Sequence, residues 1–439
     1  MKNINHPFMV LVVVLTMTAA LSFTFFGCAP LPPLEDENAQ LNEEKPDQPA
    51  MSEQERMNMI NMHRSFAHEY WKQGNYEQAI AYFDTIYVYD YERKHNIYRS
   101  WADCYNKLQM PDSAIFAYEE GIKYFGDDAY LHESLAYMYR NRGKFDEAIE
   151  QYNEALRIQE GDVEILVQLV ELYKRIEDWE NAIATAHVLT EIAPDNQEYH
   201  DNLSNMIRTY RDPEEFIQAL RDGIEKFPED YDRRLTLANA LFEQGLNEKA
   251  AAEFKVYTDA KPDNVSGWQG YAKTLDNLNR LPQAIVAYKK LDQLQPDMVD
   301  NKIAIGNIYL LQKNWQQARR WALKALGVKS GYGPAYVLMG DVYQGIADEV
   351  SGDSPTYNDK LVFVIAYGLY KKAAESKHPQ ARSDGDRGIR ILTGSYLVPS
   401  TEDRFMHLKE IRPKGKAYSW ISLDWPEVKY IDTFLENLK

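Results

Sequence analysis

Residues 268–296 read WQGYAKTLDNLNRLPQAIVAYKKLDQLQP. Trp268, Tyr271, Ala272 and Leu275 share one stripe of a first helix, and Ala284 and Tyr288 share a stripe of a second. Pro296 stops that second helix. The alanines let the two helices approach, and bulk three or four residues further on fills the seam. The same arrangement recurs along the chain. Small-then-bulky pairs stand at Ala67/Tyr70, Ala102/Tyr105, Ala136/Tyr139, Val170/Tyr173, Ser204/Ile207, Ala238/Leu241, Ala272/Leu275, Gly306/Tyr309 and Gly340/Tyr343, with a first step of 35 residues and later steps of 34. A second series twelve residues behind runs Ala79, Ala114, Ala148, Ala182, Phe216, Ala250, Ala284 and Ala318, and only Phe216 breaks its small-residue rule. Pro194, Pro228, Pro262 and Pro296 close successive units at the same step of 34. Each unit is therefore a helix–turn–helix hairpin. One hairpin cannot cover its own apolar face, so the units must stack into a solenoid.

These positions resemble the tetratricopeptide repeat family, most clearly in Trp268, Tyr271, Ala272, Leu275, Ala284, Tyr288 and Pro296, and again in Ala67, Tyr70, Gly74, Tyr76, Ala79 and Phe83. The resemblance implies an all-α solenoid of about nine repeats over residues 60–380 with a small C-terminal capping segment over 381–439. The fifth unit, around Ser204 and Phe216, is degenerate and is expected to bend or loosen the stack. In the ninth, the second helix is matched only at Ala366, Tyr370 and Ala373, which implies 14 inserted residues. Gly345, Gly352, Asp353, Ser354, Pro355 and Asn358 within it read as a loop over about 345–358, either a functional loop or a tolerated excursion. Beyond His378-Pro379 the spacing is lost. A strand is expected at Lys416–Leu423 and a last helix from about Asp424 and Pro426, with Val428, Ile431, Phe434, Leu435 and Leu438 on its apolar face. This tail reads as a cap on the solenoid or as a catalytic or partner domain.

The chain of 439 residues carries 49 Lys+Arg against 67 Asp+Glu, a formal charge of −18, with 45% hydrophobic residues. That apolar share is too high for a disordered chain, and the acidity opposes general nucleic-acid binding. Two cysteines, Cys28 and Cys104, exclude a disulfide framework and a Cys-rich metal site. Lys2, the uncharged run Phe8–Phe26 and Gly27-Cys28 form an export signal. Gly27-Cys28 resembles the lipobox of bacterial lipoproteins, although Phe25 stands where that family usually has Leu. The resemblance implies a signal peptide over 1–27 and a lipid on Cys28. The other reading is an uncleaved transmembrane anchor, for which the run is long enough. Both tether the chain outside the cytoplasm, at the bacterial envelope on its periplasmic or surface side. Between residues 29 and 56, five prolines and eight acidic residues stand against Lys45 and Arg56, which predicts an unfolded spacer over 28–58.

In the tetratricopeptide family the first helix of each pair lines a concave surface, and the residue after the small one points into it. That row is His68, Asp103, Tyr137, Glu171, Asn205, Asn239, Lys273, Asn307 and Asp341. Asn205, Asn239 and Asn307 stand in register, and side-chain amides both donate and accept, so they suit the backbone of an extended peptide. A solvated groove also prefers short polar residues, which is the plainer reading of the same row. Arg64 and Arg99, with Lys72 and Lys107, resemble part of a carboxylate clamp or are ordinary surface charge. No histidine stands in an H-E-x-x-H pair, and no nucleophile elbow or phosphate loop is present, so no catalytic residue, metal, cofactor or small-molecule substrate is expected. The expected role is an envelope lipoprotein scaffold that binds a protein or extended peptide, resembling assembly factors of membrane, pilus or secretion complexes. The alternatives are a structural scaffold docking by its convex face or tail and, third, an enzyme with Asp384, Asp386, His407 and Trp420 gathered in a tail pocket.

Overall fold

The computed structural model describes residues 51–352, 354–407 and 411–438. The run Phe8–Phe26, the proposed lipid site Cys28 and the spacer up to residue 50 lie outside the described residues. Helix α1 (Glu53–Lys72) pairs with α2 (Tyr76–Tyr89), α3 (Tyr98–Lys107) with α4 (Pro111–Tyr124), α5 (Ala129–Asn141) with α6 (Phe145–Ile158), and α7 (Val163–Arg175) with α8 (Trp179–Ile192). The series continues as α9 (Gln197–Tyr210) with α10 (Pro213–Lys226), α11 (Tyr231–Glu243) with α12 (Asn247–Ala260), and α13 (Val265–Asn277) with α14 (Leu281–Leu294). It ends with α15 (Val299–Leu311) and α16 (Trp315–Val328), then α17 (Gly333–Ser351) and α18 (Tyr357–Ala374). Three further helices follow, α19 (Pro379–Gly394), α20 (Thr401–Met406) and α21 (Tyr430–Glu436). The fold is an all-α solenoid of helix–turn–helix units. No helix among the described residues is long and apolar enough to cross a membrane.

The third unit shows why the step is 34. Helix α5 has 13 residues and α6 has 14, and a turn of three and a link of four complete the unit. Asp128 starts α5 by accepting from the backbone N–H of Tyr130. Asp162, Asn196, Asp230 and Asn264 cap α7, α9, α11 and α13 in the same way, each 34 residues after the last. The turn inside the hairpin needs a left-handed residue at its centre, supplied in this unit by Gly143 at φ 75°. Ala136, Ala148, Ala238, Ala250, Ala272, Ala284 and Ala318 are all 0% exposed, so the small residues occupy the seams.

The fifth unit departs at its turn rather than in its packing. Pro213 opens α10 and forces the residue before it to be extended. Asp212 accordingly sits at φ −76°, ψ 160° and accepts from the N–H groups of Glu214 and Glu215. Leu203, Ile207, Phe216, Ile217 and Leu220 are nevertheless buried in one core with Leu237 and Leu241 of α11, so the stack is continuous here.

Expectations about the boundaries are corrected as well. The spacer ends earlier than residue 58, because Ser52 and Glu55 form a capping box that starts α1 at Glu53. The insertion in the ninth unit is not a loop excursion. Gly345 lies inside the 19-residue α17 and Asn358 inside the 18-residue α18, so most of the extra residues lengthen both arms of the hairpin. Nor does the repeat stop at residue 380. Gly388 of α19 stands 48 residues after Gly340, which is one repeat step plus the insertion. A Cβ on Gly340 would lie 2.5 Å from the Tyr370 ring and one on Gly388 would lie 2.6 Å from its other edge. Helix α19 is thus the first helix of a tenth, unpaired unit.

The tail folds back over the end of the solenoid. Lys416–Leu423 forms no strand, since Gly415 at φ 120° leads into a 3-10 turn over Lys416–Tyr418, and Tyr418 and Ile421 are buried three residues apart. The last helix begins at Tyr430, later than expected, and Val428, Ile431 and Leu435 enter the core of α17 and α18. Arg319 of α16 and Glu427 form a buried ion pair, with Arg319 Nε 2.8 Å from Glu427 Oε1 and the guanidinium 3.2 Å above the Trp425 ring. The lengthened tip of the ninth hairpin is where much of the tail lands. Tyr418 donates to Asp359 at 2.6 Å, the Lys414 N–H donates to Asn358 at 3.1 Å, and Lys360 pairs with Asp403 at 2.7 Å.

Candidate partner-binding surface

The first helices bring one residue per unit to an equivalent turn. Asn205 on α9, Asn239 on α11, Lys273 on α13 and Asn307 on α15 are all exposed. Asn205 lines a depression of about 400 Å³ between α9 and α11, together with Asp201, Arg208 and the buried Arg233. Arg233 holds α11 to α9 through Asp201 at 2.6 Å. Helix α17 closes the row differently. Its Asp341 is half-buried and accepts from Tyr370 at 2.7 Å, and burial raises its carboxyl above the usual range.

The cationic cluster expected on the first two units is smaller than its sequence suggests. Arg64, Lys72 and Lys107 are exposed on α1 and α3, but Arg99 is already committed. Its Nε donates to Asp128 Oδ2 at 2.7 Å and its guanidinium lies 5.0 Å from the Tyr130 ring. Burial raises the Asp128 carboxyl, but hydrogen bonds from Arg99 and Asn96 outweigh it and hold the group below the ordinary carboxylate range. A partner carboxylate would have to displace Asp128, so Arg99 does not complete a clamp.

A second depression, of about 290 Å³, opens between α3, α5 and α7, lined by Asp103, Tyr118, Tyr130, Glu133, Tyr137, Arg140 and Glu164 among others. Tyr118 and Tyr130 both donate to Asp103, at 2.9 and 3.0 Å. Arg140 lies 5.0 Å from the Tyr137 ring and donates to Gln168. Burial, with the charges of Asp162 and Glu164, pushes the Glu133 carboxyl up. The sequence row contains Asp103 and Tyr137, but Tyr130, Glu133 and Glu164 were missed. They stand two or more residues before the small position, and only the packing of three first helices side by side brings them to one place.

The four tail residues do not gather. Asp384 faces Arg387 at 3.0 Å, Asp386 is exposed, His407 stacks on Tyr357 at 4.3 Å, and Trp420 stacks on Tyr343 at 6.0 Å. Among the described residues no group of His, Cys, Asp and Glu is placed to hold a metal ion.

With this geometry in hand, models of the tetratricopeptide repeat match residues 65–86, 105–163, 140–205 and 211–265. The chain is a tetratricopeptide repeat protein. It is 23% identical over 233 residues to the TPR repeat-containing protein YpiA of Bacillus subtilis, a match covering 45% of this chain and 54% of that one. It is 24% identical over 190 residues to the human protein O-mannosyl-transferase TMTC1, covering 42% of this chain and 21% of that one. The chain thus spans about half of the length of the first relative and about a fifth of the second. A crystal structure of MamA protein is 18% identical with a TM-score of 0.35, over 42% of this chain and 94% of that one.

Proposed function

We propose that this repeat protein is a scaffold of the bacterial cell envelope, tethered by a lipid on Cys28, that holds an extended segment of a partner protein along its first helices. The observation that carries the reading is the exposure of Asn205, Asn239, Lys273 and Asn307 at one turn of successive first helices. Amides at a regular step match the repeating N–H and C=O groups of an extended backbone, so affinity comes without a strict sequence requirement. A lipid fixes where this surface is displayed and the acidic spacer sets its reach. The partner belongs to the assembly of a membrane, pilus or secretion complex.

The test captures partners from native envelopes with wild type, Cys28→Ser and a triple Asn205→Ala/Asn239→Ala/Asn307→Ala chain. The reading expects Cys28→Ser to leave the membrane fraction, and the triple variant to lose its partner at an unchanged melting temperature. Membrane retention of Cys28→Ser points instead to Phe8–Phe26 as an uncleaved anchor. A second reading, docking by the tail with the groove idle, draws on the exposure of Tyr396 (82%), Phe405 (72%) and Met406 (71%) around α20. Partner capture lost by Phe405→Ser/Met406→Ser but kept by the triple variant favours it.

A further inference from the structure

We infer that the depression between α3, α5 and α7 seats the cationic side chain of an arginine or lysine carried by an extended segment of the partner. The inference rests on the scaffold reading above and specifies the partner's chemistry. The rings come first. Tyr137 is 46% exposed and Tyr130 37% exposed, and both line the depression. A tyrosine face turned to solvent in a recess is a surface for a cation, which the ring quadrupole attracts from within about 6 Å. At the rim the chain already places cations near both rings, with Arg140 5.0 Å from the Tyr137 ring and Arg99 5.0 Å from the Tyr130 ring.

The charges give the sign. Three carboxylates, on Asp103, Glu133 and Glu164, line the recess against the single guanidinium of Arg140. Asp103 is occupied by two phenols, whereas Glu133 and Glu164 have no ion-pair partner among the described residues. Two carboxylates on neighbouring helices repel each other and are relieved by one bound cation, whereas a bound carboxylate adds a third like charge. The chain's formal charge of −18 works in the same direction, drawing basic segments toward it before contact. The groove then has two functions along its length. The asparagines further on hold backbone, and this recess reads one side chain and sets the register of the segment.

The test uses the full chain and two pentapeptides with blocked ends and glycine flanks, one carrying a central arginine and the other a central glutamate, titrated by calorimetry. Arginine-peptide binding that weakens as salt is raised is expected, with the glutamate peptide silent. Glu133→Gln/Glu164→Gln is expected to weaken the arginine peptide about tenfold, and Tyr137→Ala about fivefold, at unchanged melting temperature. Equal binding of the two peptides, no binding of the arginine peptide, or unchanged binding to the Glu133→Gln/Glu164→Gln chain overturns the inference. Capture of the native partner separates this failure from that of the scaffold reading. Loss with the triple asparagine variant but retention with Glu133→Gln/Glu164→Gln refutes the recess alone, and retention with both refutes the groove.

Discussion

Cys104 is 0% exposed, and burial together with the charge of Asp103 pushes its thiol up to about 12. In a Cys28→Ser background, iodoacetamide at about pH 8 is expected to leave the folded chain unlabelled and to enter only as denaturant unfolds α3. Rapid labelling without denaturant contradicts this burial. Asp128 gives a pH signature. Its folded carboxyl lies below the ordinary value because Arg99 and Asn96 outweigh burial, so its stabilisation is complete above the unfolded-state value and is lost as pH falls through the folded one. The stability gap between wild type and Asp128→Asn should therefore be flat from about pH 7 to about pH 5 and shrink below about pH 4, read by urea melts at each pH. Two glycines of α19 form a matched pair. Gly388→Ala puts a methyl 2.6 Å from the Tyr370 ring and should cost about 1–3 kcal/mol. Gly394→Ala meets nothing within 4 Å and should be neutral or slightly stabilising. At this scale the small residues were readable because helix approach tolerates little else. Arg99 was not, because its partner Asp128 lies 29 positions away at the mouth of the next unit.

At the scale of elements, the tail is held by a charge pair sealed from water. Arg319 and Glu427 have side chains 10% and 6% exposed. Glu427→Ala strands a buried guanidinium and should cost about 3–5 kcal/mol, whereas Arg319→Met with Glu427→Leu should cost less than Glu427→Ala alone. Limited proteolysis after each change checks the location, since the single variant should be cut first between residues 395 and 430. The elements that the sequence misplaced have one cause in common: their partners are remote. Gly345, Gly352 and Pro355 carry loop chemistry, but only the first lies inside a helix, where its missing Cβ admits the Trp315 ring at 2.8 Å. The strand expected at Lys416–Leu423 has no neighbour to pair with among the described residues, and Tyr418 finds its hydrogen bond on Asp359 of α18 instead. By contrast, the caps Asp128, Asp162, Asn196, Asp230 and Asn264 repeat at 34 residues and were available in the sequence as a third series.

On the scale of the whole molecule, each unit packs on its neighbours and the buried residues fall into separate clusters along the chain, one over α1–α5 and another over α16–α21. Stability is then close to a sum of unit and interface terms. A chain ended after Lys377 should keep amide protection in α1–α12 and lose it in α17 and α18, as hydrogen exchange would show; a uniform loss contradicts this modular picture. The candidate binding face was legible only as a row of residue types. Which of them are free and which are consumed internally follows from contacts between units that no single repeat contains. The long ninth hairpin carries a consequence for descent. Its extra turns supply Asn358, Asp359 and Lys360, to which the tail is fastened. The lengthened hairpin and the tail are joined by these three contacts, so the two should be inherited together. A cousin with a plain 34-residue ninth unit should have lost the tail, and one that keeps the tail should keep the long hairpin to moor it.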